Sequence, residues 1–284
     1  MIVSTKIILK NAREEGCAIG AFNVYDMQGA MAVVKSAEEL RSPIMLQILP
    51  KALEMGSSAL IALCLEAARS VQVPVAVQLD HCSSAEIIEL AIQAGVSGVM
   101  ADGSHLPYEE NVSFTRQITA LAHSQSCTVE AELGRLTGVE DGLTVAAYES
   151  LLTSPGQAEE FAASTDIDSL AVCIGNIHGK YLGEPNLDFE RLKKIRHQVS
   201  IPLVLHGTSG LPDDMIRRSI QLGVCKFNVN TEVRDAYTAA LKNYFTKNQK
   251  YELMEIICQS IDAMKGPIRS KIQLFGSVGH INTI

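Results

Sequence analysis

The sequence predicts a single-domain α/β protein, residues 1–284, folded as a (β/α)8 TIM barrel with an extra C-terminal helix. Three observations lead there. Eight short β-rich runs alternate with segments of helical spacing. The runs are apolar on both faces, as parallel strands covered by helices must be. No GxGxxG or P-loop is present, although an open nucleotide-binding sheet should begin with one. A chain of 284 residues, 47% hydrophobic, can bury a core of this size. A generic open α/β sheet is the alternative.

Taken in order, Cys17–Val24 carries Asn23 near its end and is followed by helical spacing over Met27–Leu40. Pro43–Ile48 precedes a helical segment at Ser58–Ser70, and Pro74–Asp80 delivers Asp80-His81 before the segment Ser84–Ala94. Ser97–Asp102 ends on an acid, and Cys127–Glu132 carries Glu130 and Glu132. Asp168–Ile174 leads to His178 and then to helical spacing over Leu187–His197. Ile201–His206 precedes Pro212–Leu222, and Val224–Asn230 completes the set. The points after successive strands recur at intervals suited to a βα unit. The exception is a gap of 46 after the fifth strand, between positions 132 and 178.

The net charge of −8 argues against nucleic-acid partners but leaves room for small phosphorylated ligands, which need only local positive potential. Seven cysteines are scattered, odd in number and mostly inside apolar runs, which suits reduced thiols in a cytoplasmic protein. The N-terminal segment lacks a signal-peptide layout, and no apolar run approaches the roughly 20 residues of a membrane helix. Neither a membrane nor a nucleic acid is an expected partner.

In a barrel, chemistry gathers at the C-terminal strand ends. His81, His178 and His206 recur at that point of the repeat, and the last two are followed by Gly179 and Gly207. Convergence of three imidazoles would make a zinc-type site with room for substrate. The alternative for each is a hydrogen-bonded structural histidine. Adjacent Asp80 and His81 point to opposite faces of an ideal strand, so the chain must turn or bulge for both to serve one site.

Leu79-Asp80-His81, Asp102-Gly103-Ser104-His105, Glu130-Ala131-Glu132-Leu133-Gly134, His178-Gly179, Leu205-His206-Gly207 with Ser209-Gly210, and Lys226-Phe227-Asn228-Val229-Asn230-Thr231 resemble the motif series of class II, metal-dependent ketose-bisphosphate aldolases. Val129 to Leu136, Gly138 to Asp141, and Asp168 to Val172 are most similar to the tagatose-1,6-bisphosphate aldolase branch. The resemblance implies zinc-dependent, reversible cleavage of a tagatose- or fructose-type ketose 1,6-bisphosphate. The products would be dihydroxyacetone phosphate and an aldehyde such as glyceraldehyde 3-phosphate. One Zn2+ on His81, His178 and His206 would stabilise the enediolate, with no Schiff-base lysine required. Asp80 would exchange a proton with the C4 hydroxyl, or else orient an imidazole. Glu140, in the long loop hinged at Gly134, Gly138 and Gly142, matches the acid serving the ketone carbon, or else is a solvated loop acid.

Asp102 and Glu132 would bind a second ion, divalent or monovalent, or buttress the histidines; buttressing is the preferred reading. Gly179, Gly207, Thr208, Ser209, Asn228, Val229, Asn230 and Thr231 would hold the substrate, chiefly its phosphate, Thr231 also suiting helix capping. Gln47-Ile48, Asn176-Ile177, Thr208 and Asn230 depart from the family pattern, at positions that bear on sugar choice. The resemblance also implies a homo-oligomer, dimer or tetramer. It admits as an alternative a weakly active subunit that requires a second aldolase subunit. A hydrolase or epimerase barrel is the remaining rival, but Phe22-Asn23-Val24 stands where a metal hydrolase carries His-x-His.

Overall fold

Alternate residues of a strand point to one face, so a closed barrel sorts each strand into an inward and an outward set. The computed structural model describes residues 1–140, 143–145, 152–179, 181 and 183–280, with backbone alone for 137–140 and 143–145. In chain order the elements are α1 (Thr5–Glu15), β1 (Ile19–Asn23), α2 (Met27–Glu39), β2 (Ile44–Ile48), α3 (Pro50–Arg69), β3 (Val75–Cys82), α4 (Ala85–Gln93) and β4 (Gly98–Ala101). Next come α5 (Tyr108–Ser124), β5 (Thr128–Leu133), β6 (Thr137–Glu140), β7 (Leu143–Val145), α6 (Pro155–Thr165), β8 (Ser169–Val172) and β9 (Ile177–His178). The chain continues through α7 (Phe189–Gln198), β10 (Leu203–Leu205), α8 (Asp213–Gln221), β11 (Val224–Val229), α9 (Thr231–Lys247) and α10 (Leu253–Phe275).

All eight predicted runs are strands of one closed parallel barrel, in the order β1-β11-β10-β8-β5-β4-β3-β2. The fold is therefore a single-domain TIM barrel, as expected. Its outer face packs against the helices in one continuous apolar cluster that includes Phe22, Leu46, Val77, Leu79, Val99 and Phe227. At roughly 1.5–3 kcal/mol for each large apolar side chain buried, this cluster dominates the favourable side of folding.

The extra C-terminal helix is α10. Phe275 near its end stacks on Phe227, with ring centroids 4.8 Å apart, and its carbonyl accepts the Ala18 amide at 3.0 Å. At the N-terminal end of the barrel α1 forms a plug. Ser4 caps it by accepting from the Lys6 amide, and Ile8, Leu9 and Ala12 pack with Ile19, Ala21, Met45 and Ala76 in a separate buried cluster. The helical segment expected at Ser58–Ser70 begins earlier, at Pro50, and is broken by a kink at Ser57, whose φ of 51° lies in the left-handed region. Among the described residues no helix is long and apolar enough to cross a membrane. No disulfide forms among the described residues, and six of the seven cysteines are buried.

The 46-residue gap after β5 contains more than a loop. β6 pairs antiparallel with β7 and parallel with β9, forming a small sheet beside the barrel mouth. Gly138 is in register with His178, so the segment carrying Glu140 is bonded to the strand that carries one of the three candidate histidines. The side chain of Glu140, with Asp141 and Gly142, lies outside the described residues.

Candidate active site

The inward sets of the strands build a polar centre above an apolar floor. Asn23, Gln47, Asp80, Glu130, Glu132, His206, Lys226 and Asn228 are all buried at the strand ends or just below them. The expected irregularity between Asp80 and His81 is present. His81 has φ of 43°, and the β3–β4 register shifts between Leu79 and Cys82. That left-handed residue brings Asp80 and His81 onto the same side of the strand.

Asp80 is fully buried, and three amides from three other strands converge on its carboxylate. Asn23 Nδ2 donates to Oδ2 at 2.9 Å, Gln47 Nε2 to Oδ1 at 3.0 Å, and Asn228 Nδ2 to Oδ1 at 3.1 Å. These neutral donors fix the orientation of the carboxylate without an ion pair. The other ends of the same amides, Asn23 Oδ1, Gln47 Oε1 and Asn228 Oδ1, are buried without a hydrogen-bond partner among the described residues. Buried oxygens of this kind are rarely left unmatched, and they identify a place for a ligand or water.

The three predicted histidines converge. Their ring centroids are 4.5 Å (His81–His206), 5.1 Å (His81–His178) and 6.3 Å (His178–His206) apart. One nitrogen from each lies within 4.8 Å of the other two. His81 Nδ1 contacts Asp102 Oδ2 at 2.7 Å, and His206 Nε2 contacts Glu130 Oε1 at 2.9 Å. Asp102 is held well below the usual carboxylate range by the His81 contact, which overcomes burial. Glu130 is held low in the same way against burial, first by Lys226 and then by His206.

Each carboxylate accepts the proton on the outer nitrogen of its imidazole. The inner nitrogens, His81 Nε2 and His206 Nδ1, face one another at 2.7 Å. If both rings are neutral, two lone pairs meet there, a contact that either a proton on one ring or a metal ion between or beside them resolves. A carboxylate behind each imidazole is the usual means of orienting a metal-bound histidine. The donor set therefore fits a divalent ion of the zinc class. Burial opposes a charge on His81, yet Asp80, Asp102 and Glu132 raise its pKa well above the ordinary value; burial and His81 together lower that of His206.

Asp102 lies against the outer nitrogen of His81. Glu132 differs: its Oε2 is buried without a hydrogen-bond partner among the described residues. Burial, with Asp102, Glu130 and Asp80 adding to it against His81, pushes Glu132 up to about 8. His81, Asp102 and Glu132 also form a second group of potential ligands.

The buttress for His206 is Glu130, to which the sequence analysis gave no role. Glu130 also accepts from Lys226 Nζ at 2.9 and 2.8 Å and from Gln78 Nε2 at 3.2 Å. Lys226 is therefore a buried partner of a carboxylate, not a lysine open to substrate. The signal for Glu130 was its two-residue spacing from Glu132, which places both side chains on the inner face. Nothing in the sequence announces its partner.

The expected phosphate segments surround this centre. Gly179, Gly207 and Gly210 all have positive φ, at 83°, 62° and 88°. At Gly207 a Cβ would also collide with the Ile177 carbonyl, so glycine allows the segment after β10 to lie against the His178 segment. Tyr181 secures the same junction, accepting from the Ile177 amide at 3.3 Å and donating to the Gly207 carbonyl at 3.0 Å. Asn176, one of the departures, donates to the carbonyls of Val172 and His206 at 3.3 and 3.1 Å, tying the ends of β8 and β10 together.

Thr208 donates its hydroxyl to the Asn228 carbonyl at 3.0 Å, Ser209 is half-buried beside it, and the Asn228 side chain serves Asp80. Val229 is buried in register with Phe22. Asn230 occupies the N-cap of α9 and accepts from Tyr25 at 2.9 Å, while Thr231 is the first residue of that helix.

The family described as class II fructose-bisphosphate aldolase matches residues 3–280. Among solved structures, a protein of Coccidioides immitis regarded as a fructose-1,6-biphosphate aldolase is 33% identical. It superposes with a TM-score of 0.92 over 98% of this chain and 97% of its own. The YdjI aldolase of Escherichia coli K12 is 35% identical, with a TM-score of 0.89 over 99% of this chain and all of its own. The fructose-bisphosphate aldolase of Campylobacter jejuni shares the fold at 23% identity, with a TM-score of 0.84 over 98% of this chain and 96% of its own.

Proposed function

The chain belongs to the class II fructose-bisphosphate aldolase family, and from that premise we propose that it is a zinc-dependent enzyme cleaving a ketose 1,6-bisphosphate of the tagatose or fructose type. The products are dihydroxyacetone phosphate and an aldehyde such as glyceraldehyde 3-phosphate. The single observation that carries this reading is the placement of Asp80, oriented by three amides, on the residue before His81 within a convergent set of three imidazoles. His81, His178 and His206 would hold the ion, which supplies Lewis-acid stabilisation of the enediolate charge.

Asp80 takes the proton of the C4 hydroxyl as the C3–C4 bond breaks and returns it to the aldehyde oxygen in condensation. Asn23, Gln47 and Asn228 keep its carboxylate aimed, and their unpartnered oxygens offer acceptors to substrate hydroxyls in the same space. Glu140 moves the proton at the ketone-fragment carbon. This role is supported by the register of β6, where Glu140 follows by two residues, about 6.6 Å of strand, the Gly138 that pairs with His178. Gly179 and the Gly207–Gly210 turn present backbone amides to the phosphate, together with the N-terminus of α9 at Asn230 and Thr231. Asp102 and Glu132 are the ligands for any auxiliary cation beside His81. Lys226, saturated by Glu130, takes no part as an amine nucleophile. The tagatose branch is favoured on the segments Val129 to Leu136 and Gly138 to Asp141.

The test is metal removal. Exhaustive chelation should abolish cleavage, zinc should restore it, and His206→Ala should bind less metal and remain inactive. Full activity in protein shown by elemental analysis to be metal-free would refute the proposal.

A further inference from the structure

Opposite the catalytic mouth, a cavity of about 730 Å³ lies between the C-terminal ends of α1 and α7 and the turn from α8 into β11. Arg13, Lys193, Arg196 and His197 line it, and its other walls include Leu222, Gly223, Val224 and Cys225, with no acidic residue among them. None of the four basic side chains forms an ion pair among the described residues, in a chain whose net charge is −8. Arg196 makes one hydrogen bond, to the Val199 carbonyl at 3.4 Å. The rest of its guanidinium is uncommitted.

Two features place the arginines over a common floor. The Arg196 side chain lies on Gly223, where a Cβ would collide with Cδ and Nε; Gly223 also has φ of 96°, so both its size and its conformation keep that seat open. Burial pushes the Cys225 thiol up to about 11 against the pull of a backbone hydrogen bond and of both Arg13 and Arg196, so the two guanidiniums act on one floor residue. Burial and Arg13 also lower the pKa of Arg196, as expected of two neighbouring cations without an anion. Helix dipoles favour one cation at the end of α1 and another at the end of α7. They do not require several around one hollow.

We propose that this cavity is a second anion site, which takes a small phosphorylated molecule. Its phosphate is held by Arg13 and Arg196, with Lys193 and His197 at the rim and the apolar part of the ligand against Leu222 and Val224. Planar guanidinium forks match phosphate oxygens two at a time, which a lone lysine cannot do.

Equilibrium dialysis of the zinc-loaded full chain against radiolabelled inorganic phosphate tests the proposal by counting phosphate per chain. Arg13→Gln with Arg196→Gln should bind one phosphate fewer than the unmodified chain. Either substitution alone should weaken that site at least tenfold, whereas Lys194→Gln, exposed and outside the cavity, should leave it unchanged. The difference does not depend on what the loops at the catalytic end retain, so failure of this proposal is distinguishable from failure of the aldolase reading. An equal count in the unmodified chain and the double variant overturns the site; so does equal weakening by Lys194→Gln, which would mark diffuse charge attraction. If circular dichroism shows the double variant unfolded, the single variants supply the same comparison.

Discussion

Replacing Lys226 with Met tests the polar centre most directly, because it removes one partner of a buried pair and leaves the other. Lys226 is fully buried, Glu130 is 2% exposed, and the ammonium is within 2.9 Å of both carboxylate oxygens. Breaking such a pair costs about 3–5 kcal/mol, because the remaining charge is stranded. At about 2 °C per kcal/mol for a chain of this length, Tm should fall by roughly 6–10 °C. Adding Glu130→Gln removes the stranded charge. The new amide can donate to Gln78 Oε1, an acceptor without a partner among the described residues, while its oxygen still accepts from His206.

The double variant should therefore regain more than half the lost stability. Zinc affinity should nevertheless fall by about 10–100-fold, since His206 loses its charged acceptor. Urea unfolding followed by circular dichroism, with metal chelated throughout so that binding does not shift the midpoint, measures the first quantity. Competition with a calibrated chelator measures the second. A loss below about 1 kcal/mol in Lys226→Met, or a double variant as unstable as the sum of the two single ones, would refute the argument.

Asp80→Asn preserves shape but cannot accept the hydroxyl proton, so cleavage should drop at least ~10²-fold while zinc content stays near one per chain; loss of zinc with normal turnover on reconstitution would instead make Asp80 an orienting residue. Glu140→Ala should slow hydrogen exchange at the ketone-fragment carbon more than it weakens phosphate binding, and an unchanged exchange rate would remove Glu140 from the mechanism. Across epimeric bisphosphates and ketose 1-phosphates, dihydroxyacetone phosphate should be the common product. Selection at the aldehyde end should be loose, because Ile48 offers no hydroxyl; product analysis checks the first point and relative kcat/KM the second.

The barrel was legible because its eight strands are buried on both faces, so each reads as an unbroken apolar run with chemistry at its end. Three histidines at equivalent points of the repeat were visible for the same reason, and the Asp80–His81 bulge followed from strand geometry once the family resemblance put both residues in one site. What the sequence hid is non-local or weakly patterned. α1 shows few apolar positions, since only Ile8, Leu9 and Ala12 enter the barrel floor beside its buried Thr5. β6 and β7 are too short for period to register, and β6 finds its second partner some forty residues on, at β9. Glu130 and Lys226 lie 96 residues apart, and only closure of the barrel makes them neighbours.

The left-handed backbone at His81 has a consequence for how the site responds to distant change. The proposed proton acceptor, Asp80, and the proposed cation ligand, His81, ride on consecutive residues, whose Cα atoms are about 3.8 Å apart by covalent geometry. The spacing of their Cα atoms is thus a property of one peptide unit, while the aim of the carboxylate and the imidazole is set by Asn23, Gln47, Asn228 and Asp102. Substitutions that loosen the outer helices can tilt or shift this pair as a body, altering which substrates meet it. They leave the separation of the two Cα atoms unchanged.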